Sequence, residues 1–226
     1  MIRSILTTHA AWQYSSDWRD GIERFGLDER LRINRYQRPQ DKRAALIGRL
    51  LLANLAAEAL GLFDVTELSF ARDVMGRPYL STPADHGIDV NLSHSGTYVA
   101  AAVSTVGRIG VDVEIERPVH EGVAERCFAP AELNLLRNTP VILRTSRFFQ
   151  LWTLKEAYIK AVGGGLTLQL KRISFDLGGD AIRVMVLDAP HETTRWHVRS
   201  WNPAPGVWLA VCAEHAEPPL TYEESR

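Results

Sequence analysis

The chain has 226 residues, 46% of them hydrophobic and 23% charged, with a formal net charge of -1. That is the balance of a soluble globular protein, long enough for one large domain or two lobes. Near-neutrality gives no field of the kind that holds nucleic acid, and no run of 18 apolar residues is present that could span a membrane.

Ile2 to Leu6 reads as an opening strand, too short an apolar stretch for a signal peptide. Residues 15–43 are polar and rich in arginine: Arg19, Arg24, Arg30, Arg32, Arg35, Arg38 and Arg43. They form either a solvated helical face or a site for anionic phosphates. Ala44 to Leu60 is a buried helix of strong helix formers closed by Gly61. Leu68-Ser69-Phe70 and Pro78-Tyr79-Leu80 read as short strands around a turn holding Gly76-Arg77-Pro78. Asp89 to Leu92 and Tyr98 to Ser104 form the next hairpin, turning at Ser95-Gly96. Ile109 to Glu116 follows as a strand of strict alternation. Cys127 and Cys212, with no CxxC, read as reduced thiols of a cytoplasmic protein.

The stretch Phe148 to Leu166 carries apolar residues Phe148, Leu151, Trp152, Ile159 and Val162 at spacings of three and four, the stripe of an amphipathic helix. Thr145 or Ser146 can cap its start, and Gly163-Gly164-Gly165 ends it. Lys155 falls inside the apolar stripe and Glu156 on its flank beside Phe149. Charges there are costly without a partner or a task.

This second half repeats landmarks of the first. Gly61, Phe70 and Gly96 are matched by Gly165, Phe175 and Gly206, at offsets of 165 − 61 = 104, 175 − 70 = 105 and 206 − 96 = 110. Three landmarks at nearly one offset indicate two copies of a helix-plus-antiparallel-sheet unit. The expected fold is therefore α+β, with pseudo-symmetric halves 1–108 and 109–226. The site is expected in the cleft between them.

In Gly110-Val111-Asp112-Val113-Glu114-Ile115-Glu116, the valines and Ile115 share one face, and Asp112, Glu114 and Glu116 the other. Side chains two apart on one face sit about 7 Å apart, so Asp112 and Glu114 can contact one hard cation, with Glu156 as a third carboxylate. Magnesium suits such a set, because it keeps open positions for phosphate oxygens. The other reading is a half-exposed strand with an acidic outer face. No His/Cys set has zinc spacing. Asn91-Leu92-Ser93-His94-Ser95 is a polar cluster at a strand end, in which Ser93 and His94 are either structural or phosphate donors. Gly76-Arg77-Pro78 offers a guanidinium on a rigid turn. Neither GxxxxGK[ST] nor GxGxxG occurs.

Together these segments resemble the 4'-phosphopantetheinyl transferases of the surfactin-synthetase-activating (Sfp) type. The resemblance runs from about Arg32 to Ala213. It is carried by Gly-Arg-Pro at 76–78, Asn-Leu-Ser-His-Ser at 91–95, Gly-Val-Asp-Val-Glu at 110–114, and Trp152 with Lys155-Glu156-Ala157-Tyr158-Ile159-Lys160 followed by Gly163 to Leu166. It implies two pseudo-symmetric α+β halves, acting as a monomer. Magnesium is held by Asp112, Glu114 and Glu156. Coenzyme A is surrounded by Arg32, Arg72, Gly76, Arg77, Pro78, Asn91, Ser93, His94 and Lys160, its nucleotide on the first half. Many members carry a basic or polar pair just after the position of Asp41, where this chain has Arg43 followed by Ala44 and Ala45.

The implied reaction is attack by the serine of an apo acyl or peptidyl carrier protein on coenzyme A, releasing 3',5'-ADP. Glu156 takes the serine proton, and Lys155 or Lys160 stabilises the departing phosphate. Two rivals stand beside it: a magnesium-dependent pyrophosphate hydrolase, and a non-catalytic carrier-binding homologue. The first would want more glutamates on the helix, and the second would not need all three carboxylates. Residues 117–147, with apolar Ala131 to Leu136 among Arg126, Arg137, Arg144 and Arg147, are the expected carrier surface.

Overall fold

A computed structural model describes residues 1–12, 21–84, 87–163, 170–187, 189, 191–215 and 220–224. The chain divides into two compact units. One is Met1–Ile109 with 221–226, and the other is Gly110–Leu220.

In the first unit, β1 (Ile2–Thr8) is followed by α1 (Leu27–Asn34) and α2 (Pro39–Leu60), then by β2 (Ser69–Arg72), β3 (Pro78–Thr82), β4 (Asp89–Ser95) and β5 (Tyr98–Ser104). β1 pairs antiparallel with β5 over its whole length, and β5 with β4; β2 and β3 form a separate two-stranded sheet. α2 begins five residues before the sequence-based start, with proline in its first turn. It ends at Gly61 in the left-handed conformation (φ 68°) that glycine adopts without steric cost. It is apolar nearly all round because it is buried on two sides. Ile47, Leu51, Leu52 and Leu55 pack on Val90, Val99 and Val103 of the sheet, while Leu46 and Leu50 pack on Ile33, Leu68 and Leu80.

In the second unit, β6 (Ile109–Ile115) leads through α3 (Val123–Cys127) and α4 (Pro130–Asn138) into α5 (Val141–Val162). Then come β7 (Ile173–Asp176), β8 (Arg183–Val186), the short α6 (Glu192–Arg195), β9 (Trp196–Ala204) and β10 (Val207–Glu214). The sheet order is β6-β10-β9, and β7 pairs with β8. Leu151, Leu154, Ala157 and Tyr158 of α5 pack with Phe128, Ile173, Phe175, Ala210 and Cys212.

The expected duplication is present in the topology. Each unit has a 22-residue helix, a two-stranded sheet after it, and a hairpin whose second strand pairs with the unit's opening strand: β1-β5-β4 and β6-β10-β9. Gly96 and Gly206 turn the two matched hairpins, both at positive φ (56° and 72°). The landmark Gly165 lies outside the described residues.

Three details differ from the sequence reading. α5 starts at Val141, not at Thr145 or Ser146. The Ser146 hydroxyl accepts from the Trp208 indole at 3.2 Å, and Arg144 donates to Thr139 O and Arg137 O at the end of α4, joining the two helices. β-Branched Val141 and Ile142 are weak helix formers and hid this first turn. Finally, the chain's end returns to the first unit, where β11 (Glu223–Glu224) pairs parallel with β1 and Arg3 binds Glu223 at 2.8 Å.

Candidate active site

β6 and α5 meet through a glycine. A Cβ on Gly110 would lie 2.0 Å from Ala157 O and 2.5 Å from Ala161 N, so only glycine lets the strand lie this close to α5. That approach brings Asp112 of β6 to the C-terminal turns of the helix. Asp112 is 4% exposed, so the supposed outer face is covered there. Its Oδ1 accepts from Lys160 Nζ at 2.7 Å, and the same ammonium donates to Val111 O at 3.2 Å. Two residues along β6, Glu114 pairs with Arg117 at 2.7 Å, and the Arg117 guanidinium lies 5.1 Å over the Phe149 ring. Glu116 accepts from the Trp208 indole at 3.0 Å.

Glu156 is half-buried one helical turn before Lys160. Burial raises the pKa of its carboxyl, and the negative charges of Asp112 and Glu114 raise it further against the opposing pull of Lys160. Three carboxylates that feel one another, oxygen donors only, fit a hard divalent cation. As the side chains stand, no three acidic, histidine or cysteine groups among the described residues gather around one point.

Lys155 requires a correction. It is 1% exposed and points into the core, where Nζ binds Glu132 Oε2 at 2.8 Å, Leu170 O at 2.9 Å and Ile173 O. Glu132 also accepts from the amides of Ala129 and Phe175, at 2.8 and 3.2 Å. Burial lowers the Lys155 pKa and raises that of Glu132, with their mutual attraction opposing both shifts. The helix turns about 100° between neighbours, so a lysine next to Glu156 in sequence faces the core and cannot serve a departing phosphate.

In the first unit, Arg32, Arg72, Pro78, Ser93 and His94 line one cavity of about 200 Å³, walled also by Tyr36 and Gly48. Arg72 donates to Gly76 O; Gly76, at φ 81°, turns the β2–β3 connection. Burial, and then the charge of Arg32, lower the Arg72 pKa, the mark of cations crowded together. Asn91 is buried on β4 two residues before Ser93. Arg77 departs from expectation: its guanidinium is engaged with Asp89 and with Ile109 O, and Asp89 also accepts from Ile109 N–H at 2.8 Å. Arg77 thus anchors the start of β6 and does not line the cavity.

Two residues passed over in the sequence belong to this picture. Arg49, 0% exposed inside α2, binds Glu29 at 2.7 Å and sits 4.6 Å over the Phe70 ring; burial pushes its pKa down to about 10. Glu29 also holds Arg32, at 2.5 Å, so it fixes one wall of the cavity. The signal was an arginine inside the otherwise apolar run Ala44–Ala53 of that helix. Glu132 could have been sought as the carboxylate that Lys155 demanded. A larger cavity, of about 700 Å³, lies beside β9 and contains none of the expected residues.

Comparison with known proteins identifies the family of the chain. Residues 108–212 match the 4'-phosphopantetheinyl transferase superfamily, and residues 10–106 match the 4'-phosphopantetheinyl transferase N-terminal family. A 4'-phosphopantetheinyl transferase of Bacillus subtilis is 34% identical, over 87% of this chain and 88% of that protein. The 4'-phosphopantetheinyl transferase Sfp of Bacillus subtilis strain 168 is 28% identical, with 87% and 88% covered. The solved holo-[acyl-carrier-protein] synthase of Thermotoga maritima is a looser likeness, with TM-score 0.42 and 22% identity, covering 49% of this chain and 64% of that one. The chain belongs to the 4'-phosphopantetheinyl transferases, enzymes of phosphopantetheine transfer. Within them it is of the Sfp type.

Proposed function

We propose that this enzyme takes 4'-phosphopantetheine from coenzyme A and places it on a serine of an apo acyl or peptidyl carrier protein, with magnesium as its metal. The observation that carries the reading is the juxtaposition of Asp112, Lys160 and Glu156 where β6 meets α5. Asp112, Glu114 and Glu156 would hold the cation, which when bound neutralises charge on the pyrophosphate.

The chain's own residues do the rest. Glu156, its pKa raised, accepts the proton of the attacking serine, directly or through a water. The serine oxygen forms a bond to the phosphorus bearing the pantetheine arm. The bond from that phosphorus to the bridging oxygen breaks, and 3',5'-ADP leaves. Lys160 contributes a cation for the leaving phosphate; Lys155 has no part in the chemistry. Arg32, Arg72, Ser93 and His94 take the nucleotide portion in the first unit's cavity, with Pro78 as a wall, Gly76 holding Arg72, and Asn91 on β4 and Arg77 just before β3 in support. The second unit supplies metal, base and carrier surface.

Incubation with coenzyme A, magnesium and an apo carrier, followed by weighing the carrier, tests the reading. The wild type should add one phosphopantetheine, and Asp112→Ala or excess chelator should abolish the addition while the protein stays folded. Full transfer by folded Asp112→Ala, or in chelator, would sink the metal assignment. Coenzyme cleavage without a heavier carrier would mean a hydrolase, and carrier binding without either would mean a non-catalytic homologue.

A further inference from the structure

Both carboxylates of β6 that the metal reading uses have a cation beside them, and the two pairings are built differently. Lys160 holds Asp112 at 2.7 Å and also donates to Val111 O, from a side chain 27% exposed. Arg117 faces Glu114 with both of its Nη atoms, at 2.7 Å to Oε2 and 3.5 Å to Oε1, from a side chain 56% exposed. The charge of Asp112 reaches the same guanidinium. Arg117 has two supports that do not involve Glu114: it donates to Ile115 O at 3.1 Å, and it lies 5.1 Å over the Phe149 ring. With Phe149 and Trp152 it lines a small cavity of about 170 Å³. A guanidinium so placed can release the carboxylate, regain water and keep its other contacts, at the small cost usual for exposed ion pairs. A hard divalent cation at Glu114 would need the same carboxylate oxygens that Arg117 occupies.

We propose that Arg117 is the displaceable counter-ion of the metal site: Glu114 exchanges its guanidinium for the divalent cation, and the cost of that exchange sets the affinity of the site for the ion. The inference rests on the metal reading above. Asp112, Glu114 and Glu156 repel one another, and Arg117 offsets part of that repulsion while the carboxylates are held close together. It does so from the exposed side of β6, where Glu114 can change partners without unpacking the core. Lys160 is the less displaceable of the two cations, being more covered and tied to a backbone carbonyl as well as to Asp112. Arg117 is thus a positioning residue that acts through Glu114.

Titration with Mn²⁺ alone, read by the paramagnetic resonance of the free ion, tests this on the wild type, Arg117→Gln and Arg117→Lys, each also combined with Glu114→Gln. Thermal unfolding confirms folding. Arg117→Gln should bind Mn²⁺ about threefold tighter than the wild type, and Arg117→Lys, which keeps the charge without the planar fork, should fall between. In the Glu114→Gln background, Arg117→Gln should have little further effect. A gain equally large in both backgrounds would mean a general effect of charge and overturn the proposal, as would unchanged or weaker binding by Arg117→Gln. Should a variant fail to fold, the wild type still decides. Pairing slows rotation of the Arg117 Nη groups, so their separate NMR signals should merge at saturating Mg²⁺, and signals that bound Mg²⁺ leaves unaltered overturn the exchange. Wild type that binds neither ion would overturn the metal reading as well, whereas normal binding without an Arg117 effect overturns this inference alone.

Discussion

Each unit lays a 22-residue helix on its sheet, and each helix sinks one cation into the core: Arg49 in α2 and Lys155 in α5. The partners differ. Glu29 answers Arg49 and also holds Arg32, which lines the first unit's cavity, so that buried pair supports the cavity wall. Glu132 answers Lys155 and accepts two backbone amides, tying α4, α5 and β7 together on the side of α5 that faces the core. The same duplicated frame thus uses a buried ion pair once beside a cavity and once to hold a scaffold. The candidate site residues differ too: arginines and a histidine line the cavity of the first unit, and carboxylates gather where β6 meets α5 in the second.

The largest effect should come from breaking the second unit's pair. Lys155→Met leaves Glu132 buried without its counter-charge and should cost about 3–5 kcal/mol of stability. Arg49→Met should cost half of that or less, because Glu29 keeps Arg32. Urea unfolding of the two variants compares them directly. Lys155→Met with Glu132→Leu should recover much of the loss, since removing both charges removes the desolvation cost as well. Equal losses at Lys155 and Arg49 would erase the distinction.

The next contrast separates chemistry from binding. Glu156→Gln removes the base and one metal charge while keeping its size, and turnover should fall at least about 100-fold, with coenzyme A affinity changed far less. If calorimetry showed coenzyme binding lost and turnover of the bound complex intact, Glu156 would be a ligand residue only. Arg72→Ala is the mirror experiment in the first unit: the coenzyme A KM should rise about tenfold with kcat within about twofold. A kcat loss as large as that of Glu156→Gln would place Arg72 in the chemistry.

Much of this was legible in the sequence because periodicity and turn residues report local structure. The alternation of Ile109–Ile115 showed the strand, the three-and-four spacing showed α5, and Gly61, Gly96 and Gly206 marked the ends and turns that established the duplication. Helix-wheel reasoning found Lys155 in the wrong place for a surface lysine, yet wanted chemistry from it, because its answering carboxylate lies 23 positions away on α4 (155 − 132 = 23). Arg77 was misjudged for the same reason: Asp89 and Ile109 O take its guanidinium through tertiary contacts that no spacing announces. Gly110 stood in the motif, but its reason, the backbone of α5 pressed against it, is a property of packing.

The smallest predicted effect concerns carrier docking, and here the structure changes the experiment. Ile142, Thr145, Phe149, Trp152 and Glu156 follow one another at spacings of three and four, so they share a stripe of α5. Ile142 lies 14 residues from Glu156, about 21 Å along the axis, within the span of one small carrier domain. Val141, Ile142 and Leu143 are exposed there, and the first turn of the helix holds no acidic residue. An acidic carrier with apolar side chains near its serine suits that corner. Reversing Arg144 would mislead, because it donates to Thr139 O and Arg137 O and so holds the end of α4. Arg137→Glu changes an exposed charge on the same corner without removing those contacts. Rim charges act mainly through encounter rate and are screened by salt. The carrier KM should therefore rise about threefold at low salt, with a flatter salt dependence, while the coenzyme A KM stays unchanged. Carrier kinetics that match the wild type across the whole salt series would move the docking surface off this corner.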